Sequence, residues 1–170
     1  MDIAKPEISL LPLNVWSRSA EAIGQLMSNF AHTPFELDGV AYASIEGFYV
    51  SLLFLDPAKR LKLAGLYGLV VSRMGKKSKI KRDKLKTCYA GEWFDLGSEP
   101  HLRPLKRALR AKLEAHSDIA RAFVATAPRP IVHEIGHPDP PDAEFPAPVF
   151  CRLLSELRDE FAVLEKGAEA

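Results

Sequence analysis

One carboxylate stands apart by its surroundings. Glu46 is the only charged residue in Ser44-Ile45-Glu46-Gly47-Phe48-Tyr49-Val50-Ser51-Leu52-Leu53-Phe54-Leu55. Ser44 is a natural N-cap, which puts Glu46 in the first turn of a helix, where unpaired backbone N–H groups and the helix dipole favour negative charge. A structural role is therefore open to it. The apolar neighbours Ile45, Phe48, Tyr49, Leu52 and Phe54 nevertheless require the helix to be largely buried, and a buried carboxylate needs a partner or a task. Glu46 is the first candidate for acid–base chemistry.

A second pattern, His133-Glu134-Ile135-Gly136-His137, matches the H-E-x-x-H of zinc hydrolases, with Glu156 downstream as a third ligand. That chemistry requires both histidines on one face of a helix. Pro130 before the pattern, Gly136 within it and Pro138 after it predict a polar loop instead, and no metal is expected. Two further signals concern ligand binding. Arg73-Met74-Gly75-Lys76-Lys77-Ser78-Lys79 combines a small residue with clustered cations, as a phosphate-binding loop requires, although it lacks the Walker spacing. Asn29-Phe30 offers an amide for hydrogen bonds and a ring for stacking on a base, against the ordinary reading of a turn residue followed by a core residue.

The elements that must position these residues are mostly helical. Residues 1–14, with Pro6 and Pro12, read as an extended segment in which Ile8, Leu10 and Leu13 supply a small sheet. Ser19-Ala20-Glu21 opens a short helix or turn. Phe35 to Tyr42 alternates around Asp38-Gly39, the strongest hairpin signal in the chain. The Ser44 helix is expected to run to Leu55, and Asp56-Pro57 to start the next. The basic segment after Val71 reads as a loop. Pro104 is expected to open a helix carrying Leu105, Leu109 and Leu113, and Ser117 to cap another that ends before Pro128. A loop from Pro138 to Pro148 precedes a last helix whose apolar face is Val149, Phe150, Leu153, Leu154, Leu157, Phe161 and Leu164. Residues 167–170 are expected to fray. The expectation is one mainly helical α+β domain over residues 1–170, with five or six helices and a small β-sheet or hairpin.

Composition bounds the function. With 170 residues, 47% of them apolar, the chain can bury a continuous core. Its 23 basic and 22 acidic residues nearly cancel, so net charge favours neither nucleic acid nor membrane as a partner. The distribution is uneven: eight basic residues lie between Arg73 and Lys86 against the single acid Asp83, and nine acids follow His133. A basic middle suits a phosphate-bearing ligand. Cys88 and Cys151, far apart, suggest neither a disulfide framework nor a metal site. The apolar run from Phe48 to Leu55 is too short to span a bilayer, and the expected setting is cytoplasmic.

Taken together, Ser28-Asn29-Phe30, Phe35-Glu36-Leu37-Asp38-Gly39, Ser44-Ile45-Glu46, Arg73-Met74-Gly75 and Arg107-Ala108-Leu109-Arg110-Ala111-Lys112-Leu113 resemble, in order and spacing, the NADAR family, also called YbiA-like. The resemblance covers about Ser17 to Thr126. The segment from Val132 to Pro140, with Phe150-Cys151 and the last helix, resembles a divergent branch that includes phage and bacterial sequences.

What the resemblance implies is an N-glycosidase-like enzyme without a cofactor, acting on ADP-ribose-related or phosphoribosyl nucleotides such as ADP-ribosylated guanine, including in nucleic acid, or a phosphoribosylaminouracil intermediate of riboflavin synthesis. The family's essential glutamate falls on Glu46, its Asn-Phe pair on Asn29 and Phe30, and its Arg-Met-Gly loop on Arg73 to Gly75, with Lys76 adjoining. His133 and Asp139 are further candidates for contacting the base or ribose. The chain departs from the family at three points. Val50 and Leu53 stand where many members carry Gln and Lys, Gly47 stands where a histidine commonly follows the glutamate, and the His133 to Pro140 loop replaces a late glycine-rich loop. An apolar pair at positions 50 and 53 favours the competing class, a catalytically silent ADP-ribose-binding protein.

Overall fold

The computed structural model describes residues 11–168. Its first strand, β1 (Leu13–Asn14), pairs in parallel with β6 (Ile131–Val132), Leu13 opposite Ile131, so the start of the chain is tied to the segment leading into the histidine motif. Leu13 thus joins a small sheet as expected, while Ile8 and Leu10 lie outside the described residues. The hairpin of β2 (Phe35–Leu37) and β3 (Val40–Tyr42) forms in the expected register, Phe35 opposite Tyr42. Asp38 at φ 51° and Gly39 at φ 77° provide the two positive-φ residues of a tight hairpin turn. A second hairpin, β4 (Thr87–Tyr89) with β5 (Glu92–Phe94), turns in the same way at Ala90-Gly91.

The described residues form eight helices and three two-stranded sheets, a mainly helical α+β fold with more helices than the five or six expected. The surplus comes from the basic segment. In place of a loop it forms α4 (Gly68–Gly75) and α5 (Lys79–Asp83). Few apolar residues suffice because each helix buries a single apolar side chain, Val71 in α4 and Ile80 in α5. Gly75 lets α4 lie close on its neighbour: a Cβ there would stand 3.1 Å from Val50 Cγ2. Ser78 caps α5, its hydroxyl accepting from Lys81 N–H and donating to the Leu53 carbonyl.

Other boundaries shift for local reasons. α2 (Ile45–Ser51) starts at Ser44 as expected but ends before Leu55. Its last turn tightens, with Leu53 N–H donating to the Val50 carbonyl at 3.0 Å and Phe54 N–H to that of Ser51 at 3.2 Å. Side chains take the carbonyls that follow: Thr87 binds that of Leu52, Ser78 that of Leu53, and Arg60 Nε donates to that of Phe54 at 2.5 Å. α3 (Pro57–Ala64) begins at Asp56-Pro57, with Asp56 accepting from Ala58 N–H at 3.0 Å. α6 (Glu99–Ala115) starts five residues earlier than Pro104, which sits inside it, with Pro100 tolerated in the first turn. α7 (Ser117–Val124) follows directly.

The core surrounds α6 and α8 (Ala147–Ala168). Phe48, Leu105, Leu109, Phe123 and Leu154 are fully or almost fully enclosed, each contributing about 1.5–3 kcal/mol by removal from water. α8 places Phe150, Leu153, Leu154, Leu157 and Phe161 inward as its period predicts, whereas Leu164 is 60% exposed because the helix outruns the body it packs on. Gly167 and Ala168, expected to fray, continue α8. A second apolar cluster of Val50, Leu53, Phe54, Leu63 and Val71 seals the back of α2. α1 (Ala22–Met27) leads into the Ser28-Asn29-Phe30 turn.

Candidate active site

The first turn of α2 is fixed from several sides. Ser44 Oγ accepts from Gly47 N–H at 2.9 Å and donates to the Leu66 carbonyl at 3.0 Å. Ala43 N–H donates to the Ala64 carbonyl at 2.8 Å. A Cβ at position 47 would stand 2.7 Å from Leu66 O, so the residue after Glu46 has to be glycine in this packing. Here the departure at Gly47 acquires a physical reason. Glu46 N–H donates to the Asn29 carbonyl at 2.9 Å, which brings the Asn-Phe turn against the carboxylate-bearing turn.

Glu46 is buried, and burial pushes its carboxyl up to about 7, while hydrogen bonding by the Ser72 side chain and the charge of Lys81 pull the other way. Such a group exchanges a proton near neutrality, the property required of a general base or acid. Tyr49 stands three residues on, over the same helical face. Its hydroxyl donates to Glu144 Oε2 at 3.2 Å, and Glu144 in turn pairs with Lys81 Nζ at 3.3 Å. Burial pushes the Tyr49 phenol well up, with the Glu144 and Glu46 carboxylates adding to the effect.

His101, fully buried on α6, lies beside Tyr49 with ring centroids 6.2 Å apart. Its Nδ1 accepts from Gly97 N–H at 3.0 Å, which places the proton on Nε2. Nε2 has no hydrogen-bond partner, and burial pushes the ring down to about 4, so the imidazole stays neutral. A cavity of about 270 Å³ lies alongside, lined by Lys84, Asp95, Leu96, Gly97, Asp142, Ala143 and Glu144.

The remaining candidates fall into two groups. Asn29 and Phe30 are half-buried beside the Glu46 turn, and Asn29 Oδ1 is enclosed without a partner. Arg73 follows Ser72 on α4 and is exposed, as is Lys76 at the end of that helix, whereas Gly75 is buried against Val50 and Leu53. His133 and Asp139 are engaged elsewhere. His133 Nδ1 meets the Val15 carbonyl at 2.7 Å, and Asp139 accepts from Ala147 N–H at 2.6 Å, capping α8. A chain of ring contacts, Tyr49 to Phe145 to Phe150 to His133, links that loop to α2 alongside the Tyr49–Glu144 hydrogen bond. The H-E-x-x-H stretch follows the end of β6 as non-helical chain, so its histidines share no helical face.

Sequence reasoning missed Ser72, Lys81, His101 and Glu144. Tyr49 was in view as an apolar neighbour, and its i+3 spacing from Glu46 was the available signal. The others come from three further helices and the loop before α8, and carried no local mark.

Fold and site together define a small helical domain built on a buried glutamate at a helix start, with a cationic helix beside it. The chain belongs to the family of bacteriophage protein GP30.3, which it matches over residues 22–159. It is YbiA-like as well. It is 30% identical over 106 residues to the N-glycosidase YbiA of Escherichia coli K12, covering 62% of this chain and 59% of that protein. The Shigella boydii N-glycosidase YbiA is also 30% identical, over 107 residues, with the same coverage. The chain thus matches 59% of the length of these curated relatives. The NMR structure of the E. coli protein YbiA superposes with a TM-score of 0.65 over 92% of this chain and 88% of that one, at 24% identity, and shares the fold.

Proposed function

We propose that this protein is an N-glycosidase-like hydrolase that cleaves the bond between ribose and a base in an ADP-ribose-related or phosphoribosyl nucleotide. The observation that carries the reading is Glu46, a buried carboxyl on a rigidly held helical turn, which burial pushes up to about 7. The resemblance of the chain to proteins named N-glycosidase supports the reaction class. In the proposed step the C1′–N bond breaks and its electron pair leaves with the base. The ionised Glu46 stabilises the positive charge on the ribose and takes a proton from the water whose oxygen bonds to C1′. The departing base nitrogen is protonated from solvent.

Arg73 and Lys76 are the cations available for phosphates, and Asn29 and Phe30 for the sugar or base. Candidate substrates are ADP-ribosylated guanine, free or in nucleic acid, and phosphoribosylaminouracil. No described helix is long and apolar enough to cross a membrane, and two separate free thiols accord with a cytoplasmic setting. The test is incubation with each substrate and chromatographic detection of released base and sugar. A second reading, a silent ADP-ribose-binding protein, is favoured by the full burial of Val50 and Leu53, which leaves apolar side chains where the resembled family has Gln and Lys. Tight ADP-ribose binding with no base released from any of these substrates would select it.

A further inference from the structure

A cavity of about 430 Å³, larger than the one beside Glu144, lies between the two hairpins and the start of α3, within the size range of small-molecule sites. It is separate from the Glu46 turn. Phe48, two residues beyond Glu46 and so about 200° further round the helix, is fully enclosed. Its ring meets those of Tyr42 and Tyr89 edge-on, with centroids 5.0 and 5.5 Å away. Both tyrosines line the cavity, so the Phe48 side of α2 backs it and the Glu46 side does not.

The walls are mostly apolar, and one unpaired cation stands among them. Val40, Pro57 and Leu61 add aliphatic surface to the two rings. Asp38, at the edge of the same cavity, is already neutralised. It accepts from Arg107 Nη1 at 3.0 Å and Nη2 at 2.6 Å, and from the Tyr89 hydroxyl at 2.7 Å. Arg60 has no such counter-charge. Its Nε donates to the Phe54 carbonyl at 2.5 Å, and its Nη2 to the Cys88 carbonyl at 2.6 Å and Thr87 Oγ1 at 3.3 Å, all of them neutral acceptors. Among the described residues no carboxylate pairs with it, and Nη1 has no hydrogen-bond partner. A guanidinium drawn partly out of water without a counter-ion is costly, and an anion entering the cavity removes that cost.

We propose that this cavity binds a planar aromatic molecule carrying one carboxylate, its ring against Tyr42, Tyr89 and the aliphatic wall and its carboxylate on Arg60 Nη1. One free amino group on one cation suits a monoanion better than a phosphate, since the neighbouring Arg107 is committed to Asp38. The site makes no use of Glu46 and rests on no part of the reaction proposed above.

The test is titration of 2-naphthoate into 15N-labelled protein, followed by amide shifts, with 2-naphthamide as the uncharged counterpart and 2-naphthyl phosphate as the dianion. Saturable shifts are expected at Val40, Leu61 and Ala90, with half-saturation at about 1 mM or below. 2-Naphthamide should bind about tenfold more weakly or worse, and the phosphate no more tightly than the carboxylate. Arg60→Gln should erase the preference for 2-naphthoate over 2-naphthamide. Leu61 is 67% exposed, so Leu61→Glu should leave the fold intact while setting a like charge beside the ligand and weakening 2-naphthoate about tenfold. Equal binding of 2-naphthoate and 2-naphthamide, tighter binding of the phosphate, shifts centred on the Asn29 and Glu46 turns, or no saturable shift would each overturn the proposal. Should Arg60→Gln fail to fold, unchanged 2-naphthoate affinity in Leu61→Glu overturns it equally. None of these outcomes bears on whether Glu46 cleaves a nucleotide.

Discussion

Lys112 and Glu46 are both buried against the Ser28-Asn29 turn, and burial brings both to about 7, the lysine from above and the glutamate from below. Their surroundings differ. Lys112 donates to the Leu26 carbonyl at 2.6 Å and the Ser28 carbonyl at 3.2 Å, closing the C-terminal end of α1 and fixing the turn that follows. Glu46 has the Ser72 side chain and the charge of a lysine already paired with Glu144. A buried charge whose hydrogen bonds end on fixed backbone groups is part of the scaffold. Glu46 has no such backbone anchor for its carboxyl, as the proton exchange of the proposed reaction requires.

The pH dependence of the two is opposite. For Glu46 the folded-state pKa exceeds the ordinary 4.5, so between that value and about 7 the unfolded chain releases a proton that the folded chain keeps, and stability falls as pH rises. For Lys112 the folded-state pKa lies below the ordinary 10.5, so stability rises with pH between about 7 and that value.

The largest expected effect separates the scaffold from the site. Lys112→Ala removes the donor shared by the Leu26 and Ser28 carbonyls and leaves a cavity beside α6, and should cost on the order of 4 kcal/mol in urea unfolding. A loss under 1 kcal/mol would remove Lys112 from the scaffold. Next, Glu46→Gln should leave stability nearly unchanged at pH 4 and raise it by about 3 kcal/mol at pH 8, where the carboxylate it replaces is ionised in burial. A destabilised variant at pH 8 would make Glu46 a structural charge. Somewhat smaller, Arg73→Ala should weaken ADP-ribose binding by about 1.5–3 kcal/mol in calorimetry, the range for charge-assisted hydrogen bonds, with the melting temperature unmoved. Unchanged affinity would return the exposed Arg73 to an ordinary solvated face.

What could be read from the sequence follows the same division between local and distant causes. The Ser44 cap, the Asp38-Gly39 turn and the Asp56-Pro57 start are each decided by a few adjacent residues, and each formed where expected. The position of Glu46 in a buried first turn followed from the first of these. α4 and α5 escaped notice because one buried apolar side chain each, and a glycine seated on Val50, give no visible period. The chain just after α2 is held by Arg60, Ser78 and Thr87, side chains that no local pattern connects to it. Glu144 reaches Tyr49 across 95 positions of chain, from a stretch whose prolines announce only a loop.

The central claim is that Glu46 does chemistry, and one substitution tests it when binding and turnover are measured on the same protein. Glu46→Gln is nearly isosteric and keeps the helical turn, so ADP-ribose affinity and the fold should persist. Release of base from whichever substrate the unsubstituted protein cleaves should fall by about two to four orders of magnitude, as for loss of a positioned general base. Turnover at the unsubstituted rate would contradict the glycosidase mechanism and leave Glu46 as a buried helix-terminal charge.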